Sequence, residues 1–196
     1  MPAMKTITTI KLLAGTVLIG ALTVGCLARS EVMDSTTVSE YEQAIKRFSG
    51  DEHHIDQGLE RFKDAFADLT AEDRAQRFEA LYAPQLYFND TLHVFHTRDE
   101  VVSYMTRTGG SLDESRVDIE HVIRDGGDVY VRWTMEFRTR AAGRDIHSHS
   151  IGMTHLRFDT EGRVVLHQDF WDSGHALYAH LPFVGFAVRQ AHSRMQ

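Results

Sequence analysis

Near the C-terminal end of this 196-residue chain stands the segment His167-Gln168-Asp169-Phe170-Trp171-Asp172. On a strand, alternate side chains share a face, so His167, Asp169 and Trp171 point the same way. A carboxylate set among aromatics in a strand built for burial is a candidate general acid or base. Burial disfavours its charged form and moves its pKa toward neutrality, where proton transfer is efficient. His167 can pair with it. Two plainer readings stand beside this one: a structural His–Asp hydrogen bond, or an aspartate facing water. Asp90, in Leu86-Tyr87-Phe88-Asn89-Asp90-Thr91, is the second candidate carboxylate. Its alternative is a turn aspartate that accepts from its own backbone. His147-Ser148-His149 places two imidazoles on one strand face. Zinc would need a third ligand such as His121, His167 or Asp169, and a solvent-facing pair is the simpler outcome. No metal and no cofactor is expected. The chain carries neither a glycine-rich phosphate loop nor a Gly-x-Ser-x-Gly nucleophile elbow.

The elements that must hold these groups change character at Gly110. Before it, apolar residues recur at helical spacing. Val38, Tyr41, Ile45 and Phe48 predict a short helix, and Leu59, Phe62, Phe66 and Leu69 a stronger one over 55–69. Thr70 is placed as the N-cap of a third, with Phe78, Leu81 and Tyr82 on its stripe and Pro84 as its stop. Leu86-Tyr87-Phe88 reads as a short strand, and 99–108 as a helix closed by Gly109-Gly110. After Gly110 the period becomes two. Val117, Ile119, His121 and Ile123 share one face, and Val129, Val131, Trp133, Met135 and Phe137 another. Gly126-Gly127 and Ala141-Ala142-Gly143 are turns between strands, and two more strands follow over 145–158 and 164–171. Helices first and a strand meander after them predict an α+β domain.

The two ends read differently. Lys5 and Lys11 precede an uncharged apolar run from Leu12 to Gly25, too short for a membrane span and of the length of a secretory signal. The run closes on Cys26, the chain's single cysteine. The expected organisation is a signal peptide over 1–25 and a tether with a short helix over 26–54. The main domain covers 55–174, and an apolar tail 175–196. That tail would pack on its own domain, on a second copy or on a membrane. Twenty-one basic against 28 acidic residues give a net charge of −7. This excludes a nucleic-acid binder working through a basic face. A hydrophobic content of 42% is ample for a core, and one cysteine excludes a disulfide framework.

The order of elements resembles the nuclear transport factor 2-like, or SnoaL-like, superfamily. The segment 155–165 (His155 to Val165) resembles the paired last strands of ketosteroid isomerase, and Leu86 to Asp90 the stretch that carries an acidic residue in such enzymes. The resemblance implies a cone: a curved antiparallel sheet wrapped around about three N-terminal helices, with a pocket at its open end. It puts Asp90 at the isomerase's proton-shuttling position and Thr154 at that of its oxyanion-stabilising acid. Phe62 and Phe66 occupy the stretch of the oxyanion tyrosine, so ketosteroid isomerisation itself is disfavoured. The cysteine at the end of the apolar run is similar to a bacterial lipobox. That implies a lipidated Cys26 and a periplasmic lipoprotein anchored in the outer membrane.

Three functions from different classes follow. The first is an isomerase, hydrolase or cyclase acting on a small apolar molecule (steroid-, lipid- or polyketide-like). Asp169, Asp90 and His167 would be its catalytic residues, and Trp133, Met135, Thr154, Trp171 and Phe66 its pocket wall. The second is a periplasmic lipoprotein that binds an apolar ligand without chemistry. The third is a scaffold that homodimerises through its sheet, as the resemblance implies. Where Asp90 and Asp169 point decides among them.

Overall fold

The computed structural model describes residues 34–141, 144–176, 190, 193 and 194. The apolar run with Cys26, residues 142 and 143 of one expected turn, and 177–189 of the tail lie outside them. Among the described residues no helix is long and apolar enough to cross a membrane. Residues up to Glu42 form one compact unit, described only as the opening turns of helix α1 (Asp34–Arg47). The unit from Gln43 onward carries everything that follows.

Its helices are α2 (Ile55–Ala67), α3 (Arg74–Leu81), α4 (Arg98–Gly110) and the single turn α5 (Ser173–Ala176). Its strands are β1 (Tyr82–Asn89), β2 (Val94–Thr97), β3 (Glu114–Asp125), β4 (Asp128–Ala141), β5 (Arg144–Phe158) and β6 (Val164–Trp171). They form one curved, unclosed sheet in the order β2-β1-β6-β5-β4-β3. The α+β cone is therefore present. One pair departs from the expected meander: β1 runs parallel to β6, while every other pair is antiparallel. Parallel strands need a long crossover connection, and here β2, α4 and β3 to β5 together supply it.

Helix α2 buries Ile55, Leu59, Phe62 and Ala65, the stripe its spacing demands. Against it and the concave face of the sheet pack Phe78 and Leu81 of α3 and Val101 and Met105 of α4. Glu100 reaches back to accept the backbone N–H of Thr97, which fixes where α4 starts. The Arg74 guanidinium donates to the carbonyls of Thr70, Ala71 and Thr106, and so ties the α2–α3 connection to α4. Thr70 does not cap α3. Its N–H and hydroxyl both donate to the Asp68 carboxylate, and α3 begins only at Arg74. A carboxylate two residues upstream competes better for those donors than the following backbone does.

Two further expectations change at the strands. Tyr82 leaves the helix and opens β1, because α3 ends at Leu81 and Pro84 sits in extended chain. In β3 the alternation breaks at Glu120. Ile119 faces Trp133 but His121 faces Arg132, so Glu120 is an extra, bulged residue. Past it the faces exchange: Val122 turns to the core and Ile123 is 48% exposed.

Candidate active site

Strand alternation and the β1–β6 register assemble the site. Asn89 pairs with Gln168, so one step further along the two parallel chains Asp90 comes beside Asp169, both on the concave face. On the next strands Thr154 pairs with Asp169, and Gly152 pairs with both Trp133 and Trp171. A Cβ on Gly152 would stand 2.3 Å from Cζ2 of Trp133. The glycine is there so that this indole can lie flat on the sheet. Above this floor, beneath α2 and α4, lies a cavity of about 260 Å³. That exceeds the roughly 150 Å³ known to hold benzene, so a small organic molecule fits.

Asp90 and Asp169 both line this cavity, and so do Phe66, Trp133, Met135, Thr154 and Trp171. His167 does not. Its ring is 1% exposed and lies behind Asp169, wedged against Phe62, Phe66, Tyr82 and Phe88, with the Phe88 centroid at 4.7 Å. It lies behind the cavity wall and meets the cavity only through its bond to Asp169. His147 and His149 lie on the convex face, where His147 Nε2 is 2.5 Å from Glu136 Oε1. They share no space with His167 or Asp169.

The proton positions follow from donors and acceptors. Tyr82 is fully buried, and its hydroxyl lies 3.0 Å from His167 Nδ1. Burial, with the charges of Asp169 and Asp90 adding to it, holds the Tyr82 pKa well above the usual phenol value. Tyr82 therefore keeps its proton, and its hydroxyl is the hydrogen-bond partner of Nδ1. A carboxylate oxygen only accepts, so Nε2 of His167 donates to Asp169 Oδ1 at 3.0 Å. Thr154 donates its hydroxyl to the same Oδ1 at 2.5 Å and accepts from Trp133 Nε1 at 2.8 Å. Both of these contacts of Asp169 thus fall on Oδ1, and among the described residues no side chain donates to Oδ2.

This corrects the place given to Thr154. A hydroxyl has one proton, and that of Thr154 is spent on Asp169, so it cannot serve an oxyanion on a ligand. Asp90 combines its two readings. Its Oδ1 accepts from the backbone of Leu92 and His93, closing its own turn. Its Oδ2 accepts from the Tyr104 hydroxyl at 2.5 Å. Burial first, and then the Asp90 charge, raise the Tyr104 pKa, so this hydroxyl remains a donor. Trp171 Nε1 donates to the Asp90 carbonyl at 2.8 Å, which pins the end of β6 to the turn. Tyr82, Tyr104 and the donor role of Trp133 were not anticipated from sequence. For Tyr82 only the position before Pro84 hinted that it had left the helix.

A family model described as a SnoaL-like domain matches residues 59–167. None of the curated proteins matches the sequence. Solved structures do. An epoxide hydrolase of LEH-like type from M. tuberculosis shares 15% identity with a TM-score of 0.51, over 71% of this chain and 95% of that one. A protein from Shewanella denitrificans named as a SnoaL-like polyketide cyclase shares 17% at TM-score 0.52, over 71% and 98%. A protein of ketosteroid isomerase-like fold from Catenulispora acidiphila, in complex with trimethylamine, shares 18% at 0.51, over 60% and 89%. At these identities the likeness is one of fold.

Proposed function

The chain belongs to the SnoaL-like domain family, and from that premise we propose that it is a general acid–base catalyst. Its substrate is one small, largely apolar molecule held in the cone. The observation that supports this is Asp169: a carboxylate on the cavity wall whose Oδ1 is gripped by Thr154 and His167 and whose Oδ2 accepts no hydrogen bond among the described residues. Oδ2 takes a proton from the bound molecule and returns it at a neighbouring atom. Thr154 and His167 hold the carboxylate in place while its charge changes. Asp90, engaged on both oxygens, sets Tyr104 against the cavity and takes the lesser part in proton movement. Isomerisation and cyclisation contain such a step; in hydrolysis Oδ2 would take the proton from an attacking water and return it to the leaving oxygen. The relatives' names span two of these reactions, an epoxide hydrolase and a polyketide cyclase.

A non-catalytic ligand binder is the second reading. It is favoured by the donor accounting, since the Thr154, Trp133 and Tyr104 donors are spent within the protein and none is left to stabilise a leaving group. Turnover separates the two. The protein is incubated in heavy water with a panel of small aromatic enones, epoxides and β-keto esters, each with and without an amino group, and deuterium uptake and product mass are read by mass spectrometry. Turnover of at least one compound should fall about 10²–10⁴-fold in Asp169→Asn, with the melting temperature kept. Equal turnover in the variant removes Asp169 from the chemistry, and binding without turnover across the panel selects the binder. The anchor is proposed separately: acylated Cys26 tethers the domain to the bacterial outer membrane. Labelled palmitate should enter the wild type and not Cys26→Ser. A homodimer joined through the sheet remains a proposal, read by light scattering.

A further inference from the structure

The cavity wall has an unbalanced chemistry. Among the described residues, the donors deep in it are consumed inside the protein. Trp133 gives to Thr154, Thr154 to Asp169, Tyr104 to Asp90, and Trp171 to the Asp90 carbonyl. At the rim Ser111 gives to the Thr108 carbonyl and Thr139 to the Ser111 carbonyl. What is left is acceptor capacity, on Asp169 Oδ2. A ligand that meets this wall must therefore donate.

Charge sharpens the requirement. Among the described residues two carboxylates line the space, and no lysine or arginine does. Burying acidic groups without a cation is costly, and a positive ligand removes that cost. The rings complete the match. Because both indole N–H groups are bonded elsewhere, Trp133 and Trp171 have only their carbon faces and edges to offer a ligand, and an indole face is the best aromatic partner for a cation.

We propose that the natural ligand of this cavity is an apolar organic amine that binds as its ammonium ion. The N–H groups sit on Asp169 Oδ2, the positive charge lies between Asp169 and Asp90, and the hydrocarbon body packs on the aromatic wall. This rests on the reading that the cavity is the substrate site, and it adds the class of substrate.

The test compares three molecules of one shape at pH 7 by calorimetry: 1-naphthylmethylamine, 1-naphthalenemethanol and 1-naphthoate. The amine should bind at least about tenfold more tightly than the alcohol, and the carboxylate weakest. In the Asp90→Asn, Asp169→Asn double variant the amine should lose its advantage over the alcohol, while 1-methylnaphthalene, which makes no hydrogen bond, keeps its wild-type affinity and so shows that the cavity has kept its shape. An alcohol that binds the wild type as tightly as the amine overturns the ammonium proposal and leaves the cavity as a substrate site. Failure of all three to bind overturns both.

Discussion

Replacing Gly152 by alanine probes the floor of the site with one methyl group. Gly152 has no positive backbone φ, so an alanine meets no backbone strain, and the consequence comes from space alone. The new Cβ would lie 2.3, 2.5 and 2.9 Å from Cζ2, Cη2 and Cε2 of Trp133. Carbon atoms pack at about 3.5–4.0 Å, so the indole must retreat by roughly 1 Å. It is backed by sheet, and the direction open to it is off the sheet, into the cavity it lines. Overpacking of this kind costs about 1–3 kcal/mol. The retreat also stretches the 2.8 Å bond from Trp133 to Thr154, worth about 0.5–1.5 kcal/mol more. Urea unfolding should show Gly152→Ala destabilised by about 2–4 kcal/mol, and the cavity should lose affinity for 1-naphthalenemethanol. Adding Trp133→Phe, which deletes the ring carbons in conflict, should recover at least about 1 kcal/mol of the loss as a coupling term. A Gly152→Ala protein within about 0.5 kcal/mol of wild type, with ligand affinity unchanged, would refute the placement of Trp133.

Two other expectations bear on the polar groups. In long-range nitrogen–proton NMR spectra His167 should carry a proton on Nε2 at pH 7, and Tyr82→Phe should cost about 1–3 kcal/mol, because it leaves buried Nδ1 without its partner; an Nε2 without a proton would reverse the donor order assigned here. Thermal stability should decline below about pH 6.5, the unfolded-state value for histidine. Burial lowers the His155 pKa against the opposing pull of Asp128, so the unfolded chain binds the proton more readily and stability present above that pH is lost beneath it. Asp128 adds a second loss at lower pH: burial pushes its carboxyl up, but Arg157 and His155 outweigh this and hold it below the usual range. His155→Gln should flatten the decline between pH 7.5 and 5.5, and a decline of undiminished size would assign it elsewhere.

Much of the architecture was legible because the sheet is amphipathic along its length. Val129 to Phe137 alternate without interruption, and the same rule put His167, Asp169 and Trp171 on one face. The bulge at Glu120 could not be read, since an extra residue has no compositional mark and only the pairing with β4 reveals it. Strand β2 was missed for its brevity, four residues with no buried position. Tyr82 was assigned to a helix because Phe78, Leu81 and Tyr82 continue a helical stripe, and the pairing with β6 that places it is long-range. The roles of Thr154 and His167 changed for one reason. Residue type says what a side chain can donate, and only the assembled network says which atom it has already given its proton to.

The central claim is that Asp169 Oδ2 is the unclaimed acceptor at the heart of an open cavity. A crystal structure of the protein with 1-naphthalenemethanol tests it without regard to charge or turnover. The ring should lie between Trp133 and Phe66, with its hydroxyl about 2.5–3.2 Å from Oδ2 of Asp169. A hydroxyl bound instead at the Thr108–Ser111 rim, or an empty cavity at saturating ligand, would contradict it.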